Sequence, residues 1–452
     1  MGAERYVTRR AVVGWVLFDW AAQPFFTLIL TFVYAPYFAA AIAPDPARGQ
    51  ALWGFAIAAA GIVIALMSPV LGAIADASGK RKPWIAVFGA LLVVGSSLLW
   101  FGKPGDAASI PFILAAVVVM AIGTEFATVF NNAMMPSLVP PERLGRLSGT
   151  GWATGYAGGL VSLVIVLGFL AANPQTGKTL LGLTPLFGLD PALRQGDRAA
   201  GPLAAIWFIV FVTPLFLFTL DLPRARPLRA AIGHGLASIA GTLRRLPEHR
   251  NVATFLLANM IYADGLVALF AFGGIYAAGT FGWGTIQIGV FGILLSITGI
   301  VGAWLGGRLD DRLGAKRVIV GSLALLIVAS LAILSTGRDH ILFVISVAPP
   351  VSGGGLYTGS AENFFIGIGA LIGFVAGPMQ AASRTLLVRL APPGQMAQFF
   401  GLFALSGKVT SFFGPLLVGV VTSITLSQRA GMAVLLVFFS VGMVILARVR
   451  IT

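Results

Sequence analysis

Long apolar runs separated by short polar gaps divide this chain from end to end. A helix needs about 20 mostly apolar residues to cross a bilayer. Runs of that length fall near residues 12–43, 52–75, 84–102, 110–136, 148–172, 202–221, 252–279, 285–306, 318–336, 363–390, 399–425 and 430–447. Twelve spanning helices are predicted, giving an all-α membrane protein. The first run follows Arg9 and Arg10 and reaches small residues at Ala39 to Ala41, as a secretory signal would. It is about twice the length of such an apolar region and contains Asp19, so it is read as a retained span.

Composition agrees with this division. Of 452 residues, 58% are hydrophobic and 10% charged, and a water-soluble fold could not cover so large a core. The formal charge of +14 would suggest nucleic acid in a soluble protein. Here the basic residues lie in the short gaps, which fits membrane orientation and no nucleic-acid partner. With the N-terminus in the cytoplasm, 22 of the 30 Lys and Arg fall in inner segments and 7 in outer loops, with Lys408 inside a span. Both termini are predicted to be cytoplasmic, in a plasma (inner) membrane. There is no cysteine, which excludes disulfides, thiolate metal sites and cysteine nucleophiles.

A repeat organises the spans. "GAIADASGKRK" (Gly72 to Lys82) follows the second span and "GRLDDRLGAKR" (Gly307 to Arg317) the eighth, 235 residues later. "PPERLGRLSG" from Pro140 opens the fifth span and "PPGQMAQFFG" from Pro392 the eleventh, at an offset of 252. The longer outer loop at 337–362 accounts for the difference. The predicted architecture is two six-helix bundles in the same orientation, residues 1–221 and 252–452, joined by 222–251. In that linker Leu228, Ile232, Leu236, Ile239, Leu243 and Leu246 recur at steps of three and four. The pattern fits an amphipathic helix on the inner membrane surface and equally a connector packed under the bundle.

Gly72, Asp76, Gly79, Lys80 and Arg81, repeated as Gly307, Asp311, Gly314, Lys316 and Arg317, resemble the loop signature of the major facilitator superfamily. "FDWAAQPFFTLILTFVYAPYF", "GTEFATVFNNAMMPSLVPPERLGRLSGTGWATGYAGG", "YADGL" and "GPMQAASRTLLVRLAPPGQMAQFFGLFALSGKVTSFFGPLLVG" resemble a narrower group. That group is the autophagy-related vacuole-effluxer, or unknown major facilitator, family. Ser383-Arg384-Thr385 keeps a hydroxyl where the family pattern has a final serine. The resemblance covers nearly the whole chain. It implies a secondary transporter with alternating access between two bundles, and its fungal members are associated with amino-acid export from the vacuole.

Ionisable groups at bilayer depth cost about 2.5–3.5 kcal/mol each on insertion scales and are usually kept for a pathway or relay. Five candidates for binding protons or solute stand out: Asp19, Glu125, Asp264, Arg384 and Lys408. All lie on spans 1, 4, 7, 10 and 11, which the resembled fold turns toward its central cavity. Spans 3, 6, 9 and 12 have no charge in their apolar stretches, up to Asp221 at the very end of span 6. At about 1.5 Å per residue, Asp264 and Lys408 fall near mid-bilayer, with Asp19 and Glu125 in the inner half. These charges can form permanent pairs, or pairs that break and re-form between states with proton binding as trigger. Trp20, Gln23, Asn131, Asn132, Trp152, Tyr156, Asn259, Tyr262 and Gln380 are candidate cavity residues, with interhelical hydrogen bonding as the alternative use. Gly151, Gly155 and Gly159 form a smooth stripe on span 5, and Gly407, Gly414, Pro415 and Gly419 break span 11. The loop motifs read as cytoplasmic gates, with Asp76 and Asp311 facing a helix N-terminus and the adjacent Lys and Arg at the inner leaflet.

No Gly-x4-Gly-Lys-Ser/Thr, His-Glu-x2-His or Gly-x-Ser-x-Gly occurs, and only three histidines exist. ATP-driven pumping and hydrolysis lack their usual sites, so the chain is not read as an enzyme, and no metal or cofactor is called for. The reading is a monomeric, proton-coupled secondary transporter of small polar solutes such as amino acids, with export ahead of import. The alternatives are a lipid or lysolipid translocase and a non-transporting receptor or assembly factor.

Overall fold

A computed structural model of the chain describes residues 8–221, 223, 226–227, 229–235, 237, 249–283, 285–349 and 356–450. Among these residues, twelve helices are long and apolar enough to cross a membrane. They are span 1 (Arg9–Ile42), span 2 (Arg48–Ser78), span 3 (Lys82–Phe101), span 4 (Ala107–Ser137), span 5 (Pro141–Leu170) and span 6 (Gln195–Phe218). Span 7 (Arg250–Phe281), span 8 (Gln287–Leu313), span 9 (Ala315–Leu334), span 10 (Ser360–Leu390), span 11 (Met396–Thr425) and span 12 (Gln428–Ala447) follow. Among the described residues the strands are two residues each, His340–Ile341 paired antiparallel with Ile345–Ser346 in the loop after span 9.

Local sequence explains where the helices begin and end. Asp45 caps the second helix by accepting the Arg48 N–H at 2.9 Å, with Pro46 at the first helical position. Ser427 caps span 12 in the same way. Spans 2 and 8 run through the motif aspartates and stop at Gly79 and Gly314, whose φ of 83° and 87° are left-handed values that a Cβ would strain. Asp76 and Asp311 therefore sit on the last turns of helices rather than in free loops.

Beyond the 3-10 turns at the ends of spans 3 and 4, spans 1, 5 and 11 depart from the regular α-helix. Span 1 is α-helical to Pro24 and then widens into π-helix at Phe25–Phe32. Span 5 ends in π-helix at Val166–Leu170. Span 11 is broken into Met396–Val409 and Phe413–Thr425. Pro415 lies in the first turn of the second piece, where its missing N–H and its ring prevent the first piece from continuing.

The chain packs as two compact units. One holds residues 1–140, 154–240 and 393–405, and the other 141–153, 241–392 and 406–452. The first 13 residues from Pro141 and from Pro393 thus each group with the unit that does not hold the rest of their span. In the first unit span 1 packs on span 6, span 2 on span 4, and span 3 on spans 4 and 6. In the second, span 7 packs on span 12, span 8 on span 10, and span 9 on spans 10 and 12. The packing pattern repeats with a shift of six helices, as the duplicated motifs do.

Helix pairs approach closely where side chains are absent. A Cβ on Gly302 of span 8 would overlap the Phe374 carbonyl of span 10. Gly302→Val is expected to destabilise the fold by about 1–3 kcal/mol or more through overpacking, seen as a lower melting temperature in detergent. Large apolar side chains such as Phe55, Leu66, Val328 and Val437 are exposed, as suits helices whose surfaces meet lipid. In the linker, Ala231 is buried and Gly235 packs on Ile74 of span 2, while Ile232 is exposed. Its small-residue face is thus the packed one. Leu228, Leu236, Ile239, Leu243 and Leu246 lie outside what is described of the linker.

Candidate functional site

In the first unit, Asp19, Gln23 and Thr27 are spaced one turn apart along span 1. They meet Gly155, Gly158 and Gly159 of span 5, where added Cβ atoms would contact Asp19, Trp20, Gln23 and Thr27. The glycine stripe lets the polar face of span 1 lie directly on a neighbouring backbone. Trp20 stacks on Trp207 with ring centroids 5.4 Å apart, and the Trp207 indole N–H donates to the Trp20 carbonyl at 2.9 Å. On span 4, Asn131 is fully buried; its carbonyl accepts from the Trp15 indole at 2.7 Å, and its carboxamide has no partner among the described residues. Asn132 is buried beside it, and Glu125 is half-buried one and a half turns earlier. Arg10 lies over the Phe218 ring.

In the second unit, Asp264 of span 7 is 2% exposed and its Oδ1 has no hydrogen-bond partner among the described residues. The break in span 11 lies against it, and Gly414 lets the second half-helix pack on the Asp264 carbonyl. Two residues before Asp264, about half a turn round the helix, the buried Tyr262 hydroxyl and Ser383 of span 10 are 2.7 Å apart, and Ser383 donates to the Met379 carbonyl. Asn259 is buried a turn earlier on span 7. Arg384, also buried, donates to the Ser148 hydroxyl at 2.9 Å and carbonyl at 2.8 Å, and lies 6.0 Å from the Trp152 ring centre. Gln380 donates to the Ala376 carbonyl on its own helix. Lys408 is half-buried on the last turn before the break, and Tyr156 is half-buried on span 5.

The two loop motifs make matching helix caps. Asp76 accepts the N–H groups of Ala397 and Gln398, at 3.1 and 2.7 Å, in the first turn of span 11. Asp311 accepts the Arg146 N–H at 3.2 Å in the first turn of the helix Leu144–Ile165 of span 5. Each carboxylate thus faces the positive end of a helix dipole. Glycine permits both contacts: Gly72 stands on Ala397, Gly401 on Ser68, Gly307 on Gly145 and Gly149 on Ala303.

The basic residues near each motif have structural duties as well. Arg81 is buried rather than at the membrane surface, pairing with Asp76 and donating to the Ala75 carbonyl at 2.6 Å. Burial lowers its pKa from the ordinary arginine value, and the charges of Asp76 and Asp221 offset part of that. Lys82 donates to the carbonyls of Phe216 and Thr219 at the end of span 6. Lys316 does the same for Ala447 and Val449 at the end of span 12. Lys80 and Arg317 are exposed.

Residues 49–452 match the family model described as vacuole effluxer Atg22 like. The chain belongs to that family. Among its relatives is an uncharacterised MFS-type transporter, YxiO, of Bacillus subtilis strain 168. It is 26% identical over 443 residues, which are 96% of this chain and 93% of the relative. Autophagy-related protein 22 of Cryptococcus neoformans is 27% identical over 321 residues, 68% of this chain and 50% of the fungal protein. The aligned part is thus about half of that relative's length. Among solved structures, the major facilitator transporter FucP in its outward conformation matches with a TM-score of 0.72 at 15% identity, covering 99% of this chain and all of that one. The proton:xylose symporter XylE bound to 6-bromo-6-deoxy-D-glucose matches with a TM-score of 0.68 at 12% identity, covering 98% and 94%. These two likenesses are of fold. This Atg22-like protein is a multi-pass major facilitator superfamily transporter, not an enzyme.

Several residues of this Atg22-like transporter gain their importance only from the fold. Asp221 accepts the N–H groups of Arg81 and Lys82, capping span 3. Asp310, beside the motif Asp311, is buried, pairs with Arg389 at 2.9 Å and accepts the Thr385 hydroxyl. The Asp-Asp doublet was the visible signal for it. Glu362 is buried at the start of span 10, accepting the Trp283 indole at 2.7 Å and the Gly359 N–H at 2.8 Å. It lies just outside the apolar run, so the search for charges in spans passes over it. Ser148 and Thr410 carry no charge to mark them.

Proposed function

We propose that this transporter works by alternating access, couples to the proton gradient and exports small polar solutes such as amino acids across a plasma membrane. The two six-helix halves, 1–221 and 252–452, are the moving bodies, and 222–251 joins them. The observation that carries the reading is Asp264, buried within span 7 with Oδ1 unpartnered among the described residues. A carboxylate in such a place is costly as an anion and is relieved by taking a proton. Asp19, Glu125, Arg384 and Lys408 join it as the charged groups of the solute and proton path, with the polar and aromatic side chains around them as solute contacts. Asp76 and Asp311 make the caps that release and re-form as the state changes. The family description as vacuole effluxers supports export. The resemblance to fungal members supports amino acids, and proton coupling has precedent on this fold in XylE.

Counterflow and pH-driven flux of labelled amino acids in proteoliposomes test the function. Movement that follows an imposed pH gradient is expected; movement of a lysolipid and of no amino acid would instead favour a lipid translocase. The proposed topology, with both termini cytoplasmic, has its own test. Because the chain has no cysteine, single cysteines report cleanly. An impermeant maleimide on intact cells should label Lys178→Cys and not Lys80→Cys, both exposed positions; the reverse result would invert the orientation.

A further inference from the structure

Two oxygens at the break in span 11 are sealed from solvent and lack hydrogen-bond partners among the described residues: Asp264 Oδ1 and Thr410 Oγ1. The Thr410 hydroxyl lies within reach of the Asp264 carboxylate, yet neither Thr410 Oγ1 nor Asp264 Oδ1 makes a hydrogen bond of full geometry among the described residues. A hydroxyl that could simply donate to a buried carboxylate would normally do so, because each unmade bond costs about 1–3 kcal/mol. Two oxygen ligands of one small ion have no such bond between them.

The surroundings supply more oxygen and, among the described residues, no ion pair to Asp264. The half-helix Met396–Val409 ends at the residue before Thr410. The last four carbonyls of a helix have no partner within it, and its C-terminal end carries partial negative charge. Ser411 satisfies the Lys408 carbonyl at 3.2 Å. Asp264 forms no ion pair among the described residues. The elements packed around this turn of span 7 contribute Phe438 and Phe439 beside Gly265 and Gly442 beside Tyr262, with no charge among them. Ser383 meets Tyr262. One carboxylate among neutral oxygens suits a hard monovalent ion, since divalent sites draw on more carboxylates. Broken helices whose free carbonyls meet an ion are a known transporter device.

We propose that the Asp264 carboxylate, the Thr410 hydroxyl and the carbonyls at the break form a site for a monovalent alkali cation, Na+ or Li+, which competes with the proton. The proposal rests on the reading of Asp264 as the ion-carrying residue and adds to it the kind of ion.

The test is equilibrium binding of radioactive Na+ to the purified full-length chain, with choline chloride keeping ionic strength constant, at acid and alkaline pH. Saturable binding is expected, tighter at alkaline pH because the proton occupies the same carboxylate. Asp264→Asn should abolish it. Thr410→Val should weaken it about tenfold or more, the scale of leaving one buried polar ligand unmade, and Thr410→Ser should retain it. An unchanged melting temperature shows that the valine variant folds. No saturable binding at either pH, or unaltered binding in Thr410→Val, overturns the site. The two readings separate cleanly in pH-driven flux. Flux that depends on Asp264 in a chain that binds no Na+ sinks the cation site and leaves proton coupling standing. If Asp264→Asn changes neither flux nor Na+ binding, both fall.

Discussion

Asp264→Asn is expected to cut pH-driven transport about 10- to 100-fold, the usual size of a coupling between two ligands, while solute exchange without a gradient continues. Asparagine has nearly the shape of a protonated aspartic acid and cannot release a proton, so the variant should behave as though permanently loaded. The buried position, with Oδ1 unpartnered among the described residues, is also better suited to a neutral amide than to an anion. The melting temperature should therefore hold or rise, which separates loss of coupling from loss of fold. Flux in proteoliposomes with and without a pH gradient checks the prediction. Unchanged pH-driven flux would remove Asp264 from the coupling step.

The second large effect is an asymmetry between the matching caps. Asp76→Asn strips the charge partner from Arg81, whose side chain is only 5% exposed. Leaving one member of a buried pair uncompensated costs about 3–5 kcal/mol. Asp221 remains near Arg81, so the lower end of that range applies. Asp311→Asn removes a pair with Arg146, whose side chain is 56% exposed and can turn to water. An exposed pair contributes about 0–1 kcal/mol, and asparagine retains much of the capping ability. Asp76→Asn should thus lower the melting temperature severalfold more than Asp311→Asn. Equal effects would mean that the helix caps, common to both, outweigh the ion pairs.

That asymmetry was not legible in the repeat. The two motifs have the same aspartate, glycine and trailing basic residues, yet the arginine that meets Asp76 comes from its own loop and the one that meets Asp311 comes from span 5. A side chain chooses its partner by distance in space, and residues 146 and 311 are brought together only by folding. Asp310 shows the same limit: next to Asp311 it resembles a duplicate acid, and only the approach of Arg389 and Thr385 gives it a separate buried network.

Charged residues inside apolar runs were legible because hydrocarbon tolerates so few of them. Asp264, Arg384 and Lys408 stand out on that ground alone, as do Asp19 and Glu125. What surrounds each was hidden, since Ser148 and Thr410 are uncharged and ordinary in any helix. The amino-acid sequence by itself determined the twelve spans, their duplicated plan and the family, because the bilayer imposes length and apolarity on each segment independently of its neighbours. Tertiary structure alone decided which helix start each motif aspartate caps, where Arg81 is buried, and that the break in span 11 faces Asp264. Those contacts join residues as far as 322 positions apart, and no periodicity along a single helix encodes them.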